Sequence, residues 1–69
     1  MKLKISYHLM NGQVIDQGAD GASVEEVREK VNRILARPGT TVILAYPGGC
    51  DVVRVDAIAH VMIAPAEDA

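Results

Sequence analysis

The residue with the most evident chemical potential is Cys50, the only cysteine, which ends the stretch "YPGGC". A catalytic thiol requires a base and a feature that lowers its pKa, such as a helix N-terminus or a nearby cation. Here the stretch joins two apolar runs, and the adjacent Asp51 disfavours a thiolate. Pro and Gly are residues that turns prefer. We therefore predict a turn over "YPGGCD", residues 46–51, and no catalytic role for Cys50.

A metal site would need His, Cys or carboxylate side chains at ligand spacing. The candidates are His8, Asp16, Cys50, Asp51, Asp56 and His60. No two of them lie at ligand spacing on one predicted element, so we expect solvated or hydrogen-bonded side chains and no metal. His60 stands out because it interrupts an apolar segment. At an interface it would make association mildly pH-dependent, although an exposed histidine on an edge strand is the commoner case.

Other patterns typical of catalysis are missing from the sequence, which has no Ser/His/Asp order, no HExxH and no paired carboxylates in an evident cleft. The glycines of "QGADGAS" precede a predicted helix, where free N–H groups could hold an anion. Ser23 and Glu26 are expected to occupy those donors. We therefore predict that the protein is not an enzyme and binds no cofactor.

Composition is typical of a small soluble domain. The chain has 69 residues, is 49% hydrophobic and carries a formal net charge of -2. That charge gives no electrostatic case for nucleic acid or for an anionic membrane surface. A single cysteine excludes an internal disulfide, and no run resembles a signal peptide or a transmembrane helix. We predict a cytoplasmic protein with no membrane partner.

The elements that would position these residues begin with a β-hairpin. Residues 3–9 alternate between apolar and polar types, and Asn11-Gly12 follows as the strongest short hairpin signal, through a type I′ turn.

Two registers are open for this hairpin. A two-residue loop would pair Leu9 with Val14 and place a carboxylate opposite a buried tyrosine. A three-residue loop with a bulge would instead pair Leu9 with Ile15. That register also brings His8 opposite Asp16, which suits their charges, and it is the one we predict.

One helix follows the hairpin. Ser23 and Glu26 form the S-x-x-E pattern of a capping box, and Pro38 with Gly39 ends the helix. The apolar residues at helical spacing are Val24, Val27, Val31, Ile34 and Leu35.

The remaining chain is strand-like and completes an α+β fold. Residues 40–46 are apolar on both faces of a strand, and residues 52–64 form one strand, or two separated by a kink near Asp56-Ala57. The predicted architecture is two-layer β-β-α-β-β, with one helix packed on an antiparallel sheet of four or five strands. We assign residues 1–64 to a single domain and residues 65–69 to a flexible C-terminal tail.

One helix can cover only one face of such a sheet. The other face would be a contiguous apolar patch, which soluble monomers rarely expose. Self-association, face to face or through edge strands, would cover it, and we therefore predict a homodimer. The predicted interface residues are Ile43, Ala45, Ile58, His60, Val61, Met62 and Ile63.

As a whole the chain resembles the short uncharacterised proteins of bacteriophage genomes and prophages. The resemblance lies in its size, the opening "MKLKISYHLMNGQVI", the single capped helix and the closing "VVRVDAIAHVMI". It implies no catalytic residues and a role in binding a host or phage protein.

We accordingly predict a small, non-enzymatic, homodimeric protein-interaction module that binds and modulates another protein. A nucleic-acid-associated regulator and a structural or assembly subunit are the alternatives. The helix cations are interleaved with glutamates and lack an aromatic stacking platform, which argues against nucleic acid.

Overall fold

The structure is a computed structural model that describes residues 2–21 and 23–66. It contains the strands β1 (Lys2–Leu9), β2 (Val14–Asp20), β3 (Thr41–Tyr46), β4 (Gly49–Arg54) and β5 (Ile58–Pro65), the helix α1 (Val24–Leu35), and a 3-10 turn at Val55–Ala57. The predicted α+β class is confirmed. The prediction of one sheet is wrong, because the strands form a three-stranded antiparallel sheet of order β2-β1-β5 and a separate β3–β4 hairpin.

The core lies between the three-stranded sheet and a second layer made by the helix and the β3–β4 hairpin. Its buried members are Leu3, Ile5, Tyr7, Ile15, Val27, Val31, Leu44, Val53 and Ile58. Because the hairpin contributes Leu44 and Val53, it covers the same sheet face as the helix. The hairpin therefore adds to the cover of the face that the helix occupies, and not to the opposite face that the sequence assigned to a second molecule.

The turn at Asn11-Gly12 is confirmed, but its predicted type is wrong. The Leu9 N–H donates to the Gln13 carbonyl at 2.9 Å, which closes a three-residue loop. Gly12 has a φ of 89°, whereas Asn11 does not have a positive φ. A type I′ turn would need positive φ at both of its central residues.

The predicted register of this first hairpin is also wrong. Ile15 lies opposite Tyr7, and Asp16 lies opposite Ser6. This arrangement pairs two buried apolar side chains on the core face and leaves the carboxylate on the solvent face. Burial of the apolar pair therefore sets the register, rather than the attraction between a carboxylate and a histidine.

The helix forms where the capping pattern predicts it. The Ser23 hydroxyl accepts a hydrogen bond from the Glu26 N–H at 3.2 Å, which satisfies one of the unpaired donors of the first turn. Val27 and Val31 are buried in the core. Gly39, with a φ of 80°, lies in the turn that follows the helix.

Residues 52–64 form two strands, and the predicted kink is confirmed. The 3-10 turn at Val55–Ala57 separates β4 from β5. β5 continues to Pro65, which pairs with Leu3 and was predicted to begin the tail. Residues 67–69 of the predicted tail lie outside the described residues.

A β-bulge changes the alternation of side chains along β5. Leu9 pairs with Ile58 and His8 pairs with His60, so Ala59 is the extra residue. Strict alternation would place Ile58 on the same face as His60. The bulge instead turns Ile58 into the core.

Candidate interaction surface

The predicted interface residues lie on three different faces. Ile43 and Ala45 lie on the outer face of the β3–β4 hairpin, His60 and Met62 on the outer face of the three-stranded sheet, and Ile58, Val61 and Ile63 on the core side of β5. The hairpin and the sheet belong to opposite layers, so their outer faces point away from each other. The exposed members of the predicted set therefore belong to two separate surfaces.

The core-side members are covered by the chain itself. Ile58 is 9% exposed and belongs to the core cluster. Val61 and Ile63 are half-buried and pack against that cluster. A charged substitution at any of these positions would destabilise the fold, so its effect on binding could not be assigned to a contact with a partner.

The outer face of the β3–β4 hairpin presents two large apolar side chains that face each other across the strands. Ile43 lies directly opposite Val52, and the two residues are 64% and 65% exposed. Between them and the sheet, Leu44 on the inner face is 1% exposed. Of the two faces that the sequence showed to be apolar on this strand, the chain buries one and exposes the other.

This outer hairpin face has six residues: Thr41, Ile43, Ala45, Cys50, Val52 and Arg54. The Ile43–Val52 row lies in the middle. The Ala45–Cys50 row lies towards the connecting turn, and the Thr41–Arg54 row carries the one charged side chain of the face. The surface is therefore apolar at its centre and basic at one corner.

The predicted turn after Tyr46 is confirmed, but it is shorter than residues 46–51, because only Pro47 and Gly48 lie between β3 and β4. Gly48 has a φ of 92°, which an L side chain rarely adopts, and Pro47 precedes it as in a type II turn. Cys50 lies in β4, exposed, and not at a helix N-terminus. The position offers the thiol no helix dipole to activate it.

A groove of about 430 Å³ separates the helix from the start of β3. Its lining residues are Lys30, Arg33, Ile34, Arg37, Thr40, Thr41 and Val42. Thr41 belongs to both the groove and the outer hairpin face, so the two features form one continuous surface. Nothing in the composition indicated this groove, although the spacing of the cations along the helix is visible in the sequence.

The outer face of the three-stranded sheet carries a stacked pair of histidines. His8 and His60 lie opposite each other on β1 and β5, with ring centroids 4.1 Å apart and planes inclined by 12°. Their contact could not be predicted without knowing that the first and last strands pair. Within residues 2–21 and 23–66, no group of three or more His, Cys, Asp or Glu side chains is placed to hold a metal ion.

Polar contacts on β1 and β2 continue this face beyond the histidines. The Ser6 hydroxyl donates to Asp16 Oδ1 at 2.7 Å, and Lys4 Nζ lies 3.5 Å from Asp16 Oδ2. The Ser6 hydrogen bond, together with the Lys4 charge, lowers the pKa of the Asp16 carboxyl below its ordinary value. This outer face is thus largely polar, although the sequence predicted apolar character on both faces of the sheet.

Comparison with known proteins assigns no family, since no protein-family model, curated protein or solved structure matches the chain. In the part of the chain that the structure describes, no helix has the length and apolar character needed to cross a bilayer.

Proposed function

We propose that the protein is a non-enzymatic protein-interaction module that forms a homodimer through the outer hairpin face. The exposed Ile43–Val52 pair carries this proposal. Full burial of a Val or Ile side chain is worth about 1.5–3 kcal/mol, so leaving most of each exposed forgoes roughly 1–2 kcal/mol per residue. A contact that covers this pair in both copies would recover roughly 4–8 kcal/mol.

The magnitude also sets the expected strength of the dimer. Association costs about 4–15 kcal/mol in lost translational and rotational freedom, which is comparable to the gain from the central pair. Even the largest gain and the smallest cost leave about 4 kcal/mol, which corresponds to a Kd of about 1 mM, so the flanking residues of the face must contribute roughly 4 kcal/mol more for the complex to persist down to about micromolar concentration.

A second copy suits this face because the face can complement itself. A two-fold axis along the Ile43–Val52 row would place the basic corner at Arg54 against the uncharged Ala45–Cys50 row of the partner subunit. The two arginines would then lie at opposite ends of the contact. The inner faces of two packed sheets lie about 10 Å apart, so the central side chains would interdigitate.

The absence of catalytic activity is part of the proposal. It is supported by the separation of the thiol and the imidazoles, which lie on different surfaces of the fold. Cys50 lies on the outer hairpin face, whereas the His8–His60 pair lies on the opposite layer. A nucleophile and its base must lie within hydrogen-bonding reach of each other. The fold keeps the thiol and the two imidazoles apart.

The proposal is tested with two aspartate substitutions on opposite layers. Ile43→Asp should convert the wild-type dimer into a monomer, because it places a charge at the centre of the contact. Met62→Asp is the matched control, since Met62 is 53% exposed on the outer face of the three-stranded sheet. Light scattering coupled to gel filtration gives the masses, and circular dichroism shows that both variants are folded.

Two results would contradict the proposal: a wild-type protein that stays monomeric as its concentration rises, and a dimer that Met62→Asp dissociates while Ile43→Asp leaves it intact. Val52→Lys is an independent test, because it places a charge on the β4 member of the Ile43–Val52 pair.

A further inference from the structure

We infer that the groove between the helix and β3 binds an acidic segment of a partner protein through Lys30, Arg33 and Arg37. The inference rests on the proposal that the protein is an interaction module, but it does not depend on dimerisation. The groove would add a second binding site beside the outer hairpin face, with Thr41 common to both.

The three cations form one edge of the groove. Lys30 and Arg33 lie three residues apart on one side of the helix, and Arg37, two residues beyond its end, lines the same groove. No carboxylate is found among the described residues that line the groove. Glu26 lies outside it, with its carboxylate 3.8 Å from Lys30 Nζ.

Stabilisation of the helix end does not account for this cluster. Of the three cations, Arg33 alone lies in the last turn, whereas Lys30 is nearer the middle of the helix and Arg37 follows its end. The carbonyl end of the helix amounts to about half a negative charge, and the Glu26 carboxylate offsets part of the Lys30 charge, so the two arginines supply most of the excess positive charge. The groove is therefore electropositive in spite of its position at the C-terminal end of the helix.

The lining also has an apolar component that favours a peptide. Ile34 and Val42 are half-buried and line the groove on opposite elements. An acidic segment with an aliphatic side chain between its carboxylates would place the carboxylates against the cations and the aliphatic side chain against these two residues. Such binding would combine charge-assisted hydrogen bonds with apolar burial.

A long polyanion such as nucleic acid suits the surface less. The groove has no aromatic residue among its described lining residues, so it offers no stacking platform. Glu25, Glu26 and Glu29 occupy the preceding part of the same helix, where they would repel a polyanion that extended beyond the groove. A short acidic segment that binds mainly at Arg33 and Arg37 stays farther from Glu26, whose carboxylate lies 3.8 Å from Lys30 Nζ, than a long polyanion would.

The test is a fluorescence anisotropy titration with a fluorescein-labelled peptide rich in glutamate and leucine. Arg33→Glu should weaken binding about fivefold or more, because reversal of one charge replaces an attraction with a repulsion. Arg28→Glu is the matched control, since it makes the same change on the same helix but outside the groove lining. Added salt should weaken the wild-type interaction.

Three results would overturn the inference: no binding of the peptide at low salt, equal weakening by Arg28→Glu, and tighter binding of a single-stranded oligonucleotide of the same net charge. Light scattering on the same samples gives the oligomeric state, so a loss of peptide binding can be distinguished from a loss of dimerisation. Arg33→Glu should leave the mass unchanged, whereas Ile43→Asp should change the mass and leave the groove intact. If Arg33→Ala weakens binding less than Arg33→Glu does, the result supports a charge effect over misfolding.

Discussion

Truncation on the two faces of β3 should cost very different amounts of stability, and neighbouring residues provide the comparison. Leu44 is 1% exposed and lies in the core, whereas Ile43 is 64% exposed on the outer hairpin face. Both are large aliphatic residues of one strand, so substitution by alanine removes similar volumes at adjacent positions. The difference in the loss of unfolding free energy shows which face of β3 the chain itself covers.

The structure sets the magnitude for each substitution. Leu44→Ala should reduce the free energy of unfolding by about 3–5 kcal/mol, through lost burial and the cavity left behind. A chain of 69 residues has a total stability of roughly 3–10 kcal/mol, so this loss is a third of the total or more. Ile43→Ala should cost about 0.5 kcal/mol in the monomer, as is usual for an exposed position.

The assay is urea unfolding followed by circular dichroism, at a low and at a high protein concentration. The cost of Leu44→Ala should be similar at both concentrations. The cost of Ile43→Ala should grow with concentration, because the substitution also removes stabilisation by dimerisation. A loss of stability below about 1 kcal/mol for Leu44→Ala would show that the hairpin does not help to cover the core.

Three further predictions concern single contacts. Ser23→Ala should reduce stability by about 1 kcal/mol in urea unfolding, because the Glu26 N–H loses its acceptor, and an unchanged midpoint would contradict that role. The pKa of Asp16 is lowered in the folded state, so its contribution to stability is present above its ordinary value of 3.8 and is lost as the pH falls through the folded-state pKa. The difference in unfolding free energy between wild type and Asp16→Asn should therefore disappear in acid, and a difference that stays constant with pH would refute this. Burial raises the pKa of Tyr7 above 10.0, so unfolding should become easier as the pH rises past that value, and Tyr7→Phe should reduce this alkaline sensitivity.

The local elements could be predicted from the sequence because their signals depend on nearby residues. The cap at Ser23, the buried stripe at Val27 and Val31, and the kink at Val55–Ala57 all depend on short-range patterns. The α+β class follows from these elements. Each of these features lies where the sequence indicated it.

The arrangement of the strands could not be predicted, because it depends on contacts between distant residues. Pairing of β1 with β5 makes the three-stranded sheet and leaves β3 and β4 as a separate hairpin. A sequence read for alternation also gives no sign of an extra residue such as Ala59, whose bulge moves Ile58 from the outer face into the core.

The candidate surface was partly predictable for the same reason. The double-sided apolar character of residues 40–46 predicted an interface at Ile43, and Ile43 is 64% exposed, while its burial by a second copy stays a prediction. The groove needed the helix and β3 to be placed side by side before its cations could be seen as a cluster. His8 and His60 needed the strand pairing in the same way.

Sedimentation equilibrium of the wild-type protein decides whether the outer hairpin face joins two copies of the chain. The mass should rise with concentration from that of one 7.4 kDa chain towards twice that value, and Ile43→Asp should stay at the lower mass. A wild-type mass that remains at 7.4 kDa over the whole concentration range would contradict it.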